Sequence, residues 1–285
     1  MRIFVTGGSG LVGRCLQKKL HEKKVFFSFY KHSINQKNFI QMDITKKEEV
    51  FRVMEKFSPD VIIHTAALTN VDKCEVEKET AYSINVTGTK NIAEYAKNYN
   101  CKLIYISTDY VFDGEKGFYI EEDIPNPINF YGFTKLEGEK IVSEICNDFI
   151  IARTSVVYGV EKNNFLTWIL NNLKNNNEIK VVKNQFVSPT LNLDLCEQIL
   201  SLLEKDCEGY FHTAGGERMS RYEFALSVAD FFKLDKKLIV PVNMEDIDWV
   251  ASRPADSSLN ISKISKIKKP YTLIESLEII ERDII

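Results

Sequence analysis

The sequence predicts an α/β protein: a Rossmann-type, doubly wound parallel sheet with a smaller C-terminal substrate-binding lobe. Three observations carry that prediction. Short β-type runs alternate with helical periodicities through the first half of the chain. A glycine-rich turn follows the first run directly. A Tyr and a Lys four residues apart follow the fourth.

Strands are expected at 3–5, 25–29, 61–64, 103–107 and 149–153, with a further apolar run at 39–42. Helical patterns fall between them at 11–20, 47–57, 77–98 and 134–145. Such alternation implies parallel pairing through right-handed crossovers. The second half is less regular, with helices expected at 165–173, 193–203, 221–232 and 274–284 and strands at 179–182 and 210–213. Periodicity is weak from 241 to 270. The Rossmann domain is expected over 1–157, completed by parts of 190–215, and the lobe over 158–285.

At 285 residues and 44% hydrophobic, the chain can bury a core for both parts. Its formal net charge of -3 gives no general attraction to nucleic acid or to an anionic membrane. No apolar run approaches membrane-spanning length. The basic run Lys263, Lys266, Lys268 and Lys269 reads as a solvated surface. Cys15, Cys74, Cys101, Cys146, Cys196 and Cys207 lie far apart with no C-x-x-C pair, and the four histidines are isolated. No metal site is predicted, and six free thiols in a reducing cytoplasm are expected. Arg2 leads straight into a strand and turn that leader cleavage would destroy, so no cleaved leader is expected.

Gly7, Gly8, Gly10 and Gly13 form the turn, which fits the G-x-G-x-x-G spacing. Glycines there permit a tight strand-to-helix turn and let the backbone approach a pyrophosphate. The following helix, beginning at Leu11 and Val12, offers free N–H groups to the phosphates. The fingerprint alone is weak, but its place between a strand and a helix supports a dinucleotide site. NAD-binding versions carry an acid at the end of the second strand. None occurs from Phe27 to Ser33, whereas Lys31 and Ser33 can meet a 2′-phosphate. NADPH is therefore expected, with NADH left open and a solvated Lys31 as the competing reading. Asp43, past the run at 39–42, can accept from an adenine amino group or cap the next helix.

Tyr131 and Lys135 share a face if their segment is helical. An ammonium near a phenol lowers its pKa, which would make Tyr131 a general acid for a carbonyl oxygen receiving hydride. Lys135 can also hold the nicotinamide ribose. The strand at 103–107 ends in Ser107 and Thr108, where ligands of an open α/β sheet bind. Their hydroxyls can bond the substrate carbonyl or cap a turn.

These segments together resemble the dTDP-4-dehydrorhamnose reductase family. The matching runs are the glycine turn, STDYVFDG at 107–114, YGFTKLEGE at 131–139 and RTSVVYG at 153–159. VDKCE at 71–75, QFVSPT at 185–190 and SRPADSSL at 252–259 match as well, so the resemblance spans nearly the whole chain. It implies a Rossmann domain with a small C-terminal lobe, and reduction of the C4 ketone of dTDP-4-dehydro-L-rhamnose to dTDP-L-rhamnose with NAD(P)H. It implies Thr108, Tyr131 and Lys135 as the catalytic set, with Thr108 and Asp109 touching the sugar. Gly10, Leu11, Val12, Asp43, Ile44, Ala67, Leu68 and Thr69 would line the cofactor, and Ile106 is placed with them. Two positions depart from the family. Val156 stands where a Trp commonly packs on the deoxysugar, and Cys15 replaces an acid that binds magnesium at a dimer contact in some members.

Arg253 is a candidate cation for the substrate pyrophosphate, the alternative being a pair with a surface carboxylate. Two other functions stay open: a nucleotide-sugar epimerase or dehydratase of the same superfamily, and a non-catalytic NADP-binding regulatory subunit of the kind that serves methionine adenosyltransferase. A homodimer also stays open.

Overall fold

The computed structural model describes residues 1–20, 24–31 and 36–284. The first half supplies strands β1 (Arg2–Thr6), β2 (Lys24–Phe29), β3 (Phe39–Gln41), β4 (Val61–His64), β5 (Lys102–Thr108) and β6 (Phe149–Thr154). Its helices are α1 (Leu11–Lys19), α2 (Lys47–Glu55), α3 (Val71–Val76), α4 (Lys78–Tyr82), α5 (Gly88–Asn98) and α6 (Phe130–Ile145). In the second half come β7 (Val157–Tyr158), α7 (Phe165–Lys174), β8 (Ile179–Val182), β9 (Phe186–Val187), β10 (Thr190–Leu191), α8 (Asn192–Glu204) and β11 (Gly209–His212). β12 (Met219–Ser220), α9 (Arg221–Phe231), β13 (Ile239–Val242), α10 (Ser262–Ser265) and α11 (Leu273–Ile284) complete it.

Seven strands form one parallel sheet in the order β11-β6-β5-β4-β1-β2-β3. β1 pairs β2 on one side and β4 on the other, so the strand order reverses there. The carboxyl ends of β1 and β4 therefore open a crevice, the usual ligand position in such sheets. Successive β1 side chains serve opposite faces, as the strand period of two requires. Ile3 and Val5 join Leu16 of α1 and Ile199 and Leu202 of α8 in one core. Phe4 joins Val50 of α2, Ile92 of α5 and Val142 of α6 in the other. A third core, around Leu166, Phe224, Val228 and Leu277, holds the lobe. β8 and β13 pair in parallel within that lobe, which gives regular structure to the start of the weakly periodic 241–270 stretch. β11 and α8 return to the first sheet.

Two expected helices differ in extent. The single helix at 77–98 is broken into α4, a π-helical turn at Ser83–Thr87 and α5. There Asn85 faces inward to bond Leu68 and Thr134. The helix expected at 134–145 starts four residues earlier, at Phe130, because the Asn129 side chain caps it by accepting from the Gly132 N–H at 2.8 Å. That cap puts Tyr131 inside the first helical turn. No helix among the described residues is long and apolar enough to cross a membrane. The six cysteines are free.

Candidate active site

The crevice holds a cavity of about 540 Å³. Its sheet-side edge is the glycine turn. Gly7 has φ +71°, and a Cβ on Gly13 would lie 2.4 Å from the Gly7 carbonyl, so the loop folds onto itself only without side chains. Gly10 caps α1 and lines the cavity with Leu11 and Val12. The start of α1 borders this space, and the first-turn N–H groups of a helix lack helical partners, which suits an anion. Ala67 and Thr69, just beyond β4, and Ile106 line it too.

Other cofactor candidates stand outside this lining. The Leu68 backbone is taken up by Asn85, whose amide accepts from the Leu68 N–H at 2.8 Å and donates to its carbonyl at 3.0 Å. Asp43 accepts from the Thr45 N–H and hydroxyl at 3.0 and 2.7 Å, a local turn rather than the cap of α2. Ile44 is buried, its carbonyl held by Asn91. Lys31 lies exposed past β2, its ammonium 5.4 Å from the Tyr30 ring centroid. Ser33 lies outside the described residues.

Thr108, Tyr131 and Lys135 meet at the cavity floor. The Thr108 hydroxyl is the neighbour that favours ionisation of the Tyr131 phenol. The Thr108 hydroxyl also donates to Asp109 at 3.0 Å and accepts from the Tyr110 N–H at 3.2 Å. The Lys135 ammonium donates to the Ile106 carbonyl at 2.7 Å and sits 4.0 Å from the Tyr105 ring centroid. Burial draws its pKa down to about 7, against the opposing charge of Glu139. The expected lowering of the Tyr131 pKa does not dominate: burial holds that phenol above its ordinary value, and the Thr108 hydroxyl only offsets part of this. A phenol that keeps its proton is the form a general acid requires.

Asp109 forms the junction with the lobe. It accepts from Ser155 at 2.7 Å and Ser257 at 2.6 Å, and burial raises its pKa against these bonds. Beside it, Val156 lines the cavity with φ +42°. A β-branched residue in the left-handed region is strained, and such strain clusters at functional sites. The lobe side of the cavity is formed by Lys162, Asn163, Asn164 and Arg221. Arg253 does not reach it: the guanidinium donates to Asp72 at 2.8 Å and to the Ala251 carbonyl at 3.0 Å, over the Trp249 ring.

With this geometry in view, residues 1–277 match a family model described as the RmlD substrate binding domain. The chain belongs to the RmlD family. It is 35% identical, over 93% of its length and 92% of the relative's, to a dTDP-4-dehydrorhamnose reductase of Aggregatibacter actinomycetemcomitans. It is 34% identical, over 93% of its length and 82% of the relative's, to methionine adenosyltransferase 2 subunit beta of Rattus norvegicus. Among solved structures, the dTDP-4-dehydrorhamnose reductase of Bacillus anthracis in complex with NADP superposes with a TM-score of 0.91 at 33% identity, covering 99% of each chain. Both the resemblance read from the motifs and the Rossmann fold class agree with these matches.

For this RmlD-family chain, sequence reasoning missed Thr65, Thr154, Lys162, Asn163, Asn164 and Arg221 as cavity-lining residues. Asn164 was hidden by a structural role, since it caps α7. Arg221 carried a readable signal. It opens α9, and a cation in the first turn opposes the helix dipole. Thr154 is buried with an unpartnered hydroxyl, a property visible only in three dimensions.

Proposed function

We propose that this protein is an NADPH-dependent reductase that converts the C4 ketone of dTDP-4-dehydro-L-rhamnose to the alcohol of dTDP-L-rhamnose. The observation that carries the reading is the meeting of Thr108, Tyr131 and Lys135 beside the glycine turn, in a chain of the RmlD family. The residues present fit a dinucleotide: glycines without room for Cβ atoms, free helix N–H groups and a lysine at the floor. Gly10, Leu11 and Val12 would hold the diphosphate, Ala67 and Thr69 the adjoining ribose, and Lys135 the nicotinamide ribose. When bound, NADPH supplies the hydride.

Tyr131 donates the phenol proton to the substrate oxygen, and Thr108 holds that oxygen in line with it. Asp109 fixes Thr108 through their hydrogen bond. The substrate diphosphate lies against Lys162 and Arg221, which bring positive charge to the lobe wall. Arg253 can join them only by leaving Asp72. The absence of an acid at the end of β2, with Lys31 nearby, favours NADPH over NADH. The enzyme works in the cytoplasm, either as a monomer or as a homodimer.

The test is oxidation of NADPH by the purified protein with enzymatically prepared dTDP-4-dehydro-L-rhamnose. Rapid oxidation with a different 4-keto nucleotide sugar, and none with this one, refutes the substrate and leaves the reductase. The similarity to the rat subunit beta favours a second reading, a non-catalytic NADP-binding subunit. No turnover on any keto sugar, with NADPH still bound, supports that second reading.

A further inference from the structure

We propose that Glu139 is a positioning residue for the catalytic pair, keeping the Lys135 side chain charged and fixing the end of the strand that carries Thr108. Tyr131, Lys135 and Glu139 follow one another at intervals of four along α6, and so share a face of that helix. Glu139 does not line the cavity, and it is 1% exposed. A buried carboxylate in this place costs stability unless it is fully paired. Here it is paired. Arg153 of β6 forks onto both oxygens, Nε donating to Oε1 at 3.0 Å and Nη2 to Oε2 at 2.8 Å. Ser107 of β5 donates to Oε1 at 2.5 Å.

Each contact points toward the reacting groups. Ser107 directly precedes Thr108, and in the β5–β6 register Ser107 sits opposite Arg153 and Thr108 opposite Thr154. The Glu139–Arg153–Ser107 bonds therefore tie the carboxyl ends of both strands to the helix that carries Tyr131 and Lys135. The guanidinium itself lies against the rings of Phe112 and Tyr210, with centroids 5.1 and 5.0 Å away.

The charge matters as well. Lys135 is 3% exposed, and burial opposes its ammonium. Of the titratable groups around it, His64 of β4 is held neutral by burial, with its pKa lowered to about 3. The Cys74 thiol of α3 is pushed up to about 11 and the Tyr105 phenol of β5 is raised, so both stay uncharged near neutral pH. Tyr131 also keeps its proton, and Asp109 faces Tyr131 from beyond Thr108. On the helices packed against α6, Lys90 of α5 is exposed and Glu94 pairs with Lys47, while on α3 Glu75 pairs with Lys78 and Asp72 with Arg253. Glu139 is thus the anion that opposes the burial of Lys135, with Arg153 on its far side.

The role deepens the reductase reading, yet it can be measured without turnover. The probe is a ¹³C NMR titration of lysine-labelled protein without cofactor, with the Lys135 signal assigned by its loss in Lys135→Met. The wild-type midpoint is expected near 7, where burial places the Lys135 pKa. In Glu139→Gln it should fall by about 1 unit or more, the scale of losing a nearby opposite charge. The kcat profile should change in the same direction: loss of the ammonium begins at lower pH, so the alkaline limb moves down. Since Glu139→Gln leaves Arg153 unpaired, Glu139→Gln/Arg153→Met is the second variant, removing both charges together. Its midpoint should also fall. Ser107→Ala keeps the ion pair, so it should lower kcat while leaving the midpoint in place. An unmoved midpoint in both Glu139 variants overturns the proposal, as does an equal shift in Ser107→Ala. Either result leaves the assignment of Tyr131 and the reductase chemistry intact.

Discussion

The two walls of the cleft are built on different plans. On the sheet side, the reacting groups are bound to neighbours before any ligand arrives. Thr108 is tied to Asp109 and Tyr110, and Lys135 to Ile106. On the lobe side, the cation Arg221 is left with capacity to spare. Among the described residues, no carboxylate pairs with Arg221, whose guanidinium rests on the Phe165 ring. Val156 holds a strained backbone between the two walls. On the proposed function, the sheet side is preorganised for the chemical step and the lobe side is held ready for substrate binding.

The largest expected effect tests the sheet side. Tyr131→Phe keeps the ring and removes the proton, so kcat should fall by about 100-fold or more, the scale of a lost general acid. NADPH affinity, measured by fluorescence titration, should stay within about twofold, because a ring without its proton removes no diphosphate contact and leaves the helix N-terminus intact. Near-wild-type turnover would break the contrast, since the preorganised wall would then not hold the acid. The next effect tests the lobe side. A charged hydrogen bond is worth about 1.5–3 kcal/mol, so Arg221→Ala should raise KM for the sugar nucleotide by about 10-fold or more. NADPH binding should not change. Arg253→Ala should raise KM less, since Asp72 already occupies that guanidinium. A larger effect at Arg253 than at Arg221 would reverse the two assignments.

The same contrast explains what could be read from the sequence. The sheet side is written in local spacing. Glycines at intervals of three, a Tyr and Lys four apart and hydroxyls at a strand end each need one element and one face. The lobe side is assembled from distant segments: Asp109 meets Ser155 and Ser257, and Lys162 and Arg221 converge on one cavity. No local pattern records such meetings. Even on the sheet side, the direction of the Tyr131 shift was not legible. Spacing shows that a lysine is near, but the cost of burial depends on everything packed around the phenol. The break at 83–87 was hidden for a similar reason, because Asn85 turns inward to a loop that only the tertiary fold brings close.

A smaller effect is expected where the two walls meet. Val156→Trp places a ring where the family resemblance implies one packed on the sugar. Trp is not β-branched, so the left-handed backbone at φ +42° should strain it less than Val. Stacking on a ring adds about 0.5–1.5 kcal/mol beyond area burial. KM for the dTDP sugar should therefore fall by roughly two- to tenfold, with little change in kcat. An unchanged KM would mean that Tyr110, whose ring stands 6.1 Å from that of Tyr131, already covers the sugar.

The smallest effect concerns the rim of the sheet side, where preorganisation runs out. Lys31 is exposed, and among the described residues its side chain meets only the Tyr30 ring. An exposed ammonium against a phosphate is screened by water and salt, so its contribution is about 0–1 kcal/mol, the range of surface ion pairs. Wild-type protein should bind NADPH more tightly than NADH, and Lys31→Ala should narrow that ratio by about two- to fivefold. The change should come from weaker NADPH binding alone, because NADH has no 2′-phosphate to lose. Raising the salt concentration should narrow the wild-type ratio too, and should have less effect in the variant. Equal affinities for the two cofactors in wild type would remove the argument from the missing acid at the end of β2. A ratio that survives Lys31→Ala at high salt would instead place the discrimination in hydrogen bonds nearer the glycine turn.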